Sequence, residues 1–193
     1  MRLRSFATVA LVVVALAVAA FTVLGDRAVS AQDTGQAKYN VRVPNGLAFS
    51  EFKGYESWQL ISISHSEKLL AATLGNPAMI KALQSGIPGN GQSFPDGAKM
   101  AKIHWNPKKQ ETFPTTAIPG TQHDVDFMVK DSKRFADSGG WGWGAFKYDA
   151  ASDTFTPATT ADTPPQGHDA KCGLACHTIV RAKDYVFTEY GRR

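Results

Sequence analysis

The only two cysteines of the chain stand together near its C-terminus, in Cys172-Gly173-Leu174-Ala175-Cys176-His177. Two thiols followed at once by an imidazole are the parts needed to hold c-type haem: each thiol adds to a porphyrin vinyl group, and the adjacent histidine becomes the proximal iron ligand. The usual spacer between the cysteines is two residues, and here it is three. Gly173 can take backbone angles closed to other residues and so absorb the extra one. The same residues admit other readings. Two nearby cysteines form a disulfide in an oxidising compartment, and such a pair also binds copper or exchanges electrons. His168 upstream would complete a cramped Cys2His2 zinc set with Cys172, Cys176 and His177.

The start of the chain bears on the compartment. A short basic stretch, Met1-Arg2-Leu3-Arg4, precedes an almost uninterrupted apolar run from Ala7 to Leu24, and Val29-Ser30-Ala31 offers small residues for cleavage before Gln32. This pattern predicts a secretory signal over 1–31, or a membrane anchor if the segment is left uncleaved. Either way the rest of the chain is expected in the periplasm, where c-type haem is attached and disulfides persist. Removing residues 1–31 from the 193 leaves 162, enough for one domain burying roughly 70% of its unfolded surface. That remainder carries 18 basic and 16 acidic residues. With a net charge of only +2 and no basic run longer than a pair, nucleic acid is not an expected partner.

Periodicity and breakers divide the remainder. Residues 32–54 are expected as an extended lead-in, and 55–193 as the folded domain. Tyr55 to His65 is rich in aromatic and β-branched residues and predicts a strand, with Ser66 capping a helix from Glu67. Asn76 and Pro77 predict the cap and first turn of a second helix carrying Met79, Ile80 and Leu83 on one face, until Gly86 and Pro88 stop it. Asp96-Gly97 turns the chain into a strand from Ala98 to Trp105, where alternation sets Lys99, Ala101 and Ile103 against Met100, Lys102 and His104. Val125 to Lys130 is a further strand, and Trp141 to Tyr148 another. In the last, Gly142 and Gly144 share a face with Phe146; glycines inside an aromatic strand mark close approach, by a flat macrocycle or by packed side chains. Asp153 to Gly167 is a loop leading to the cysteines, and Ile179, Val180, Ala182, Val186 and Phe187 fit one face of a last short helix.

Several separated stretches in this order resemble the cytochrome P-460 family: Phe94-Pro95-Asp96-Gly97 leading to Lys102, Lys130 to Phe135, the Trp141 to Phe146 strand, Cys176-His177, and Asp184 to Thr188. The resemblance implies an α+β fold, predominantly antiparallel sheet with a few packed helices, in a single domain with a c-type haem loop near the C-terminus. It implies a periplasmic mono-haem c-type cytochrome, usually a homodimer, that binds or oxidises small nitrogen-containing molecules such as hydroxylamine or nitric oxide at a five-coordinate iron and passes electrons to a redox partner protein. By position, Cys172 and Cys176 correspond to the thioether residues and His177 to the proximal ligand. Lys102 corresponds to the lysine that cross-links to the porphyrin in hydroxylamine-oxidising members, and Asp126 to their distal carboxylate, one methylene shorter than a glutamate.

Elementary chemistry constrains these roles. Lysine attacks a porphyrin carbon only as the neutral amine, and otherwise a strand lysine faces solvent. Asp126 would serve as a proton relay to a bound nitrogen species. His65, His104, His123, Met100 or Met128 would close the sixth iron position and make an electron carrier instead. The remaining alternatives are a non-catalytic gas-binding cytochrome and a haem-free copper or disulfide protein.

Overall fold

The computed structural model describes residues 37–44, 46–66, 68–158 and 168–191, without the side chains of 168–172. Residues 1–31, expected as an export signal, and Glu67 lie outside the described residues. Among the described residues no helix is long and apolar enough to cross a membrane.

From Lys38 onward the chain forms one compact unit. Six strands follow one another as an antiparallel meander: β1 (Gln59–His65), β2 (Leu70–Gly75), β3 (Lys99–Lys109), β4 (Ala117–Lys130), β5 (Trp141–Asp149) and β6 (Thr154–Pro157). Helix α1 (Pro77–Gln84) joins β2 to β3, and α2 (His168–His177) follows β6. The α+β expectation holds, with a sheet of sequential neighbours and few helices.

Alternation sorts the strand side chains onto two faces. Leu74, Ala101, Val125, Phe127, Val129 and Phe146 bury against Val43, Leu47, Phe49, Phe52, Tyr55 and Phe135. Met100, Met128, Trp141 and Trp143 face the other way, toward α1, Phe94 and Val186. The segment expected as lead-in therefore supplies core: Val43, Leu47, Phe49 and Phe52 are wholly buried, and the compact unit begins at Lys38 rather than Tyr55.

Helix α1 forms where its cap and proline place it, with the Asn76 side chain accepting from the Met79 amide at 3.0 Å. The helix expected from Glu67 is instead the second strand of a hairpin, closed by the Ser66 amide donating to the Leu69 carbonyl at 2.9 Å. Pairing with both β1 and β3 gives every residue of β2 a ladder partner, and this tertiary gain outweighs a weak local helix preference. Strands β3 and β4 extend well beyond the expected spans, because residues 105–109 and 117–122 pair with one another in a long projecting hairpin.

The glycines of β5 stand against packed side chains, and Gly144 also lines the cavity beneath α2. A Cβ on Gly142 would lie 2.4 Å from the Phe135 ring, and one on Gly144 3.3 Å from Leu47, so both serve close packing in the aromatic core.

Candidate functional site

The segment expected as a loop around the cysteines is helical. Helix α2 runs to His177 and passes into a 3-10 turn over Thr178–Lys183. Within α2, positions 172 and 176 stand one turn apart on one helix face, as i and i+4. The Cys172 thiol and the His168 imidazole lie outside the described side chains. Cys176 is an exposed free thiol. Gly173 acts through its missing Cβ rather than through unusual backbone angles, since a Cβ there would lie 2.5 Å from Trp143 Cγ. Bare backbone at 173 lets α2 lie directly on the indole.

Between that helix and the sheet lies a cavity of about 340 Å³, within the range of small-molecule and cofactor sites. Its sheet wall is Thr73 of β2, Met100 and Lys102 of β3, Asp126, Phe127 and Met128 of β4, and Trp143, Gly144 and Ala145 of β5. The C-terminal wall is Gly173, Cys176, His177, Val186, Phe187 and Thr188. Four residues proposed from sequence for the site thus converge: Lys102, Asp126, Cys176 and His177. Lys102 and Asp126 are direct cross-strand partners. Lys99, three residues earlier on β3, turns to the aromatic face and donates to the Glu51 carbonyl at 2.5 Å. Of the spare ligand candidates, Met100 and Met128 line the cavity; His65, exposed at the end of β1, His104 and His123 do not.

His177 is held for ligation. Its Nδ1 lies 2.6 Å from the Tyr185 carbonyl oxygen, so Nδ1–H donates there and Nε2 keeps the lone pair. The ring packs against Trp143 and edge-on against Phe187, with centroids at 5.7 and 4.9 Å. Burial pushes its pKa below the usual histidine value; the Tyr185 carbonyl opposes that, and the nearby Lys102 charge adds to it. The net effect favours the neutral imidazole that a metal needs.

The Tyr185 carbonyl has its own support, which periodicity did not reveal. The chain after the 3-10 turn does not continue as the expected helix: Asp184 and Tyr185 both adopt left-handed backbone, with φ of 47° and 63°. Asp184 is fixed there by Lys130 Nζ at 2.8 and 3.0 Å and by the Phe94 amide at 2.8 Å. Both members of this ion pair are largely buried. The Tyr185 ring rests on Gly139, where a Cβ would come within 2.4 Å of it. This reversal explains why Val186 is buried while Ile179 and Phe187 are exposed, although all were expected on one helix face.

A site with one oriented neutral imidazole, a thiol beside it and walls of Met, Trp, Val and Phe fits a flat, mostly apolar macrocycle carrying a metal. A family model described as Cytochrome P460 matches residues 52–188, most of the chain. The chain belongs to the cytochrome P460 family. Its cofactor is haem. No curated protein matches the chain. The family's haem and the cavity residues agree: among the side chains described at this site, His177 offers a nitrogen prepared for iron, and Lys102 and Asp126 are the charged groups on the facing sheet wall.

Proposed function

We propose that this protein is an exported, periplasmic c-type cytochrome, acting as a homodimer, that binds or oxidises small nitrogen species such as hydroxylamine or nitric oxide at an iron held by His177. The observation that carries the proposal is the convergence of Lys102, Asp126, Cys176 and His177 on one apolar cavity from three separate segments of chain. When bound, haem supplies an iron that takes a small nitrogen ligand and accepts electrons from it. His177 Nε2 holds that iron, oriented through Nδ1 by the Tyr185 carbonyl. Cys176 and Cys172 form the thioethers; i,i+4 positions share a helix face as i,i+3 positions do, so the wider spacer is compatible with two links. Asp126 accepts the proton that a bound nitrogen species loses on oxidation. Lys102 would bond to the macrocycle edge through Nζ; that bond would remove two protons and two electrons and need an external oxidant such as a peroxide during maturation. Electrons then leave to a separate redox protein.

A second reading, a non-catalytic gas binder or electron carrier, draws support from Met100 and Met128 on the cavity wall, where a thioether can take the sixth iron position. Protein matured with a cytochrome c assembly system separates the readings. The expected result is haem retained after denaturation, ferrous protein that binds carbon monoxide or nitric oxide without displacing a side chain, and a haem peptide linked to Lys102 after digestion. The Lys102 bond distorts the ring and is expected to shift its main absorption band to the red; Lys102→Ala then loses this shift and hydroxylamine turnover, while Lys99→Ala keeps both. Haem found only on the 172–177 peptide, with identical wild-type and Lys102→Ala spectra, leaves the gas-binding reading. A low-spin resting spectrum lost in Met100→Ala or Met128→Ala selects the electron carrier.

A further inference from the structure

The cavity is not uniform along its length. Helix α2, with Cys176 and His177, lies against β5, where Gly173 meets Trp143 and the imidazole packs on the same ring. From there the sheet runs on through β4 and β3 to β2, three strand spacings or roughly 14 Å away. At that far end the cavity wall turns polar. Thr73 on β2 stands directly opposite Lys102, and both line the cavity. Thr188 joins them from the facing wall. It lies on the C-terminal segment between Val186, a member of the apolar cluster of Met100 and Trp143, and Tyr190, whose hydroxyl accepts from Gln59 Nε2 on β1.

Thr73 is only 4% exposed, and neither its hydroxyl nor that of Thr188 bonds to another described residue. A buried hydroxyl left unpaired is costly. One row further along the sheet, polar groups are satisfied from within: the register slips by one at His123, and the Asp124 carboxylate takes hydrogen bonds from both His104 and His123. Thr73 has no such neighbour, so its partner is a group that enters the cavity.

The shape of haem says which group. The two vinyl carbons that bond to cysteine lie on one edge of the macrocycle, and the two propionate carboxylates lie on the opposite edge. Thioethers to α2 put the vinyl edge at the C-terminal wall beside β5, so the carboxylates fall toward β2. A hydroxyl donates to a carboxylate oxygen, and a cation pairs with its charge. We propose that Thr73, Thr188 and Lys102 hold the propionate edge of the haem and so fix which way the ring faces. The proposal rests on the haem site described above and gives it a second anchor, far from the cysteines. Asp126, on the other flank of Lys102, repels the propionates and keeps them on the β2 side.

The threonines carry the test, because Lys102 is also claimed by the bond to the ring. In resonance Raman spectra of the matured holoprotein, the propionate bending and iron–histidine stretching bands are separate. Thr73→Val and Thr188→Val keep the side-chain shape and remove the hydroxyl. Each is expected to shift the propionate band, to leave the iron–histidine band in place, and to lower the midpoint potential, since a carboxylate with fewer donors favours ferric iron. Thr73→Ser is expected to restore the wild-type band. A propionate band at its wild-type position in both valine variants overturns the proposal, and weaker nitrite binding to ferric iron in those variants would then assign the hydroxyls to the iron ligand. A shift of both bands that Thr73→Ser does not reverse also overturns it, as a general loosening of the site. Failure of the underlying haem reading looks different, because the matured protein then shows no haem absorption at all.

Discussion

Strand β4 presents two unlike faces within six residues. Val125, Phe127 and Val129 pack into an aromatic core, while Asp126 and Met128 line the cavity and Asp124 shares their side of the strand. On the closed face Phe49 contacts Tyr39, Tyr55, Phe127, Phe146 and Phe155, with centroids between 4.9 and 6.0 Å, and Phe52 stacks on Phe127 at 4.1 Å. Such pairs add to the burial of large apolar surfaces. The other face gives up apolar positions to Lys102, His104, Asp124 and Asp126. Packing on the first face offsets the cost of charge on the second, so stability and chemistry are divided between alternate residues of the same strands.

The largest test of that division is a truncation on the closed face. Phe127→Ala is expected to lower unfolding free energy by about 3–5 kcal/mol, read by urea titration. Lys102→Ala, directly across the sheet, is expected to change it by less than about 0.5 kcal/mol. Comparable losses in the two variants would mean that the faces do not divide the work as argued.

Next in size is the buried ion pair behind His177. Lys130→Met leaves Asp184 buried without its cation, and a loss of about 3 kcal/mol is expected. Unlike Phe127→Ala, it should also loosen the Tyr185 carbonyl and so shift the iron–histidine vibration of the ferrous protein. A stability loss with an unmoved vibration would make the pair a support of the fold alone.

Smaller effects are expected at two glycines, one on each face. Gly142→Ala meets Phe135 and Gly173→Ala meets Trp143. Each should cost about 1–3 kcal/mol through overpacking, but only Gly173→Ala should reduce haem retention, because only there does the new methyl push α2 from the cavity wall.

Much of this was readable in the sequence, for identifiable reasons. Alternation in β3 to β5 placed Lys102 opposite Lys99 and paired Gly142 with Phe146, because a period of two survives any choice of neighbour. Asn76 and Pro77 marked α1 because capping is local. The β2 segment misled because Leu70 to Leu74 owe their conformation to strands far away in sequence. The lead-in misled because Val43, Leu47, Phe49 and Phe52 follow no period and bury through irregular turns. In the site, His177 and Lys102 carried motif signals. The Tyr185 carbonyl is a backbone group with no residue signature, and the Lys130–Asp184 pair spans 54 positions. The bulge at His123 is a slip in register that no single strand reveals.

The smallest effect separates charge on the two faces. Glu51, on the aromatic side, accepts from Arg134 Nη1 at 2.6 Å and from the Ala48 amide at 2.9 Å. Burial raises its pKa, but these hydrogen bonds, with the charges of Arg134 and Lys99, bring it below the ordinary carboxylate value. Asp124, on the cavity side, is also lowered. A folded pKa below the unfolded one means that the unfolded chain takes up more protons in that range. The stabilisation is therefore present above the unfolded pKa and is lost as pH falls through the lower folded one. Glu51→Gln should cost less than about 1 kcal/mol at pH 7, since the pair is partly exposed, and the gap to wild type should close once pH falls below the folded Glu51 pKa. Asp124→Asn, on the other face, should show the same closing gap. A gap for Glu51→Gln that persists in acid would assign its contribution to hydrogen-bond geometry rather than charge.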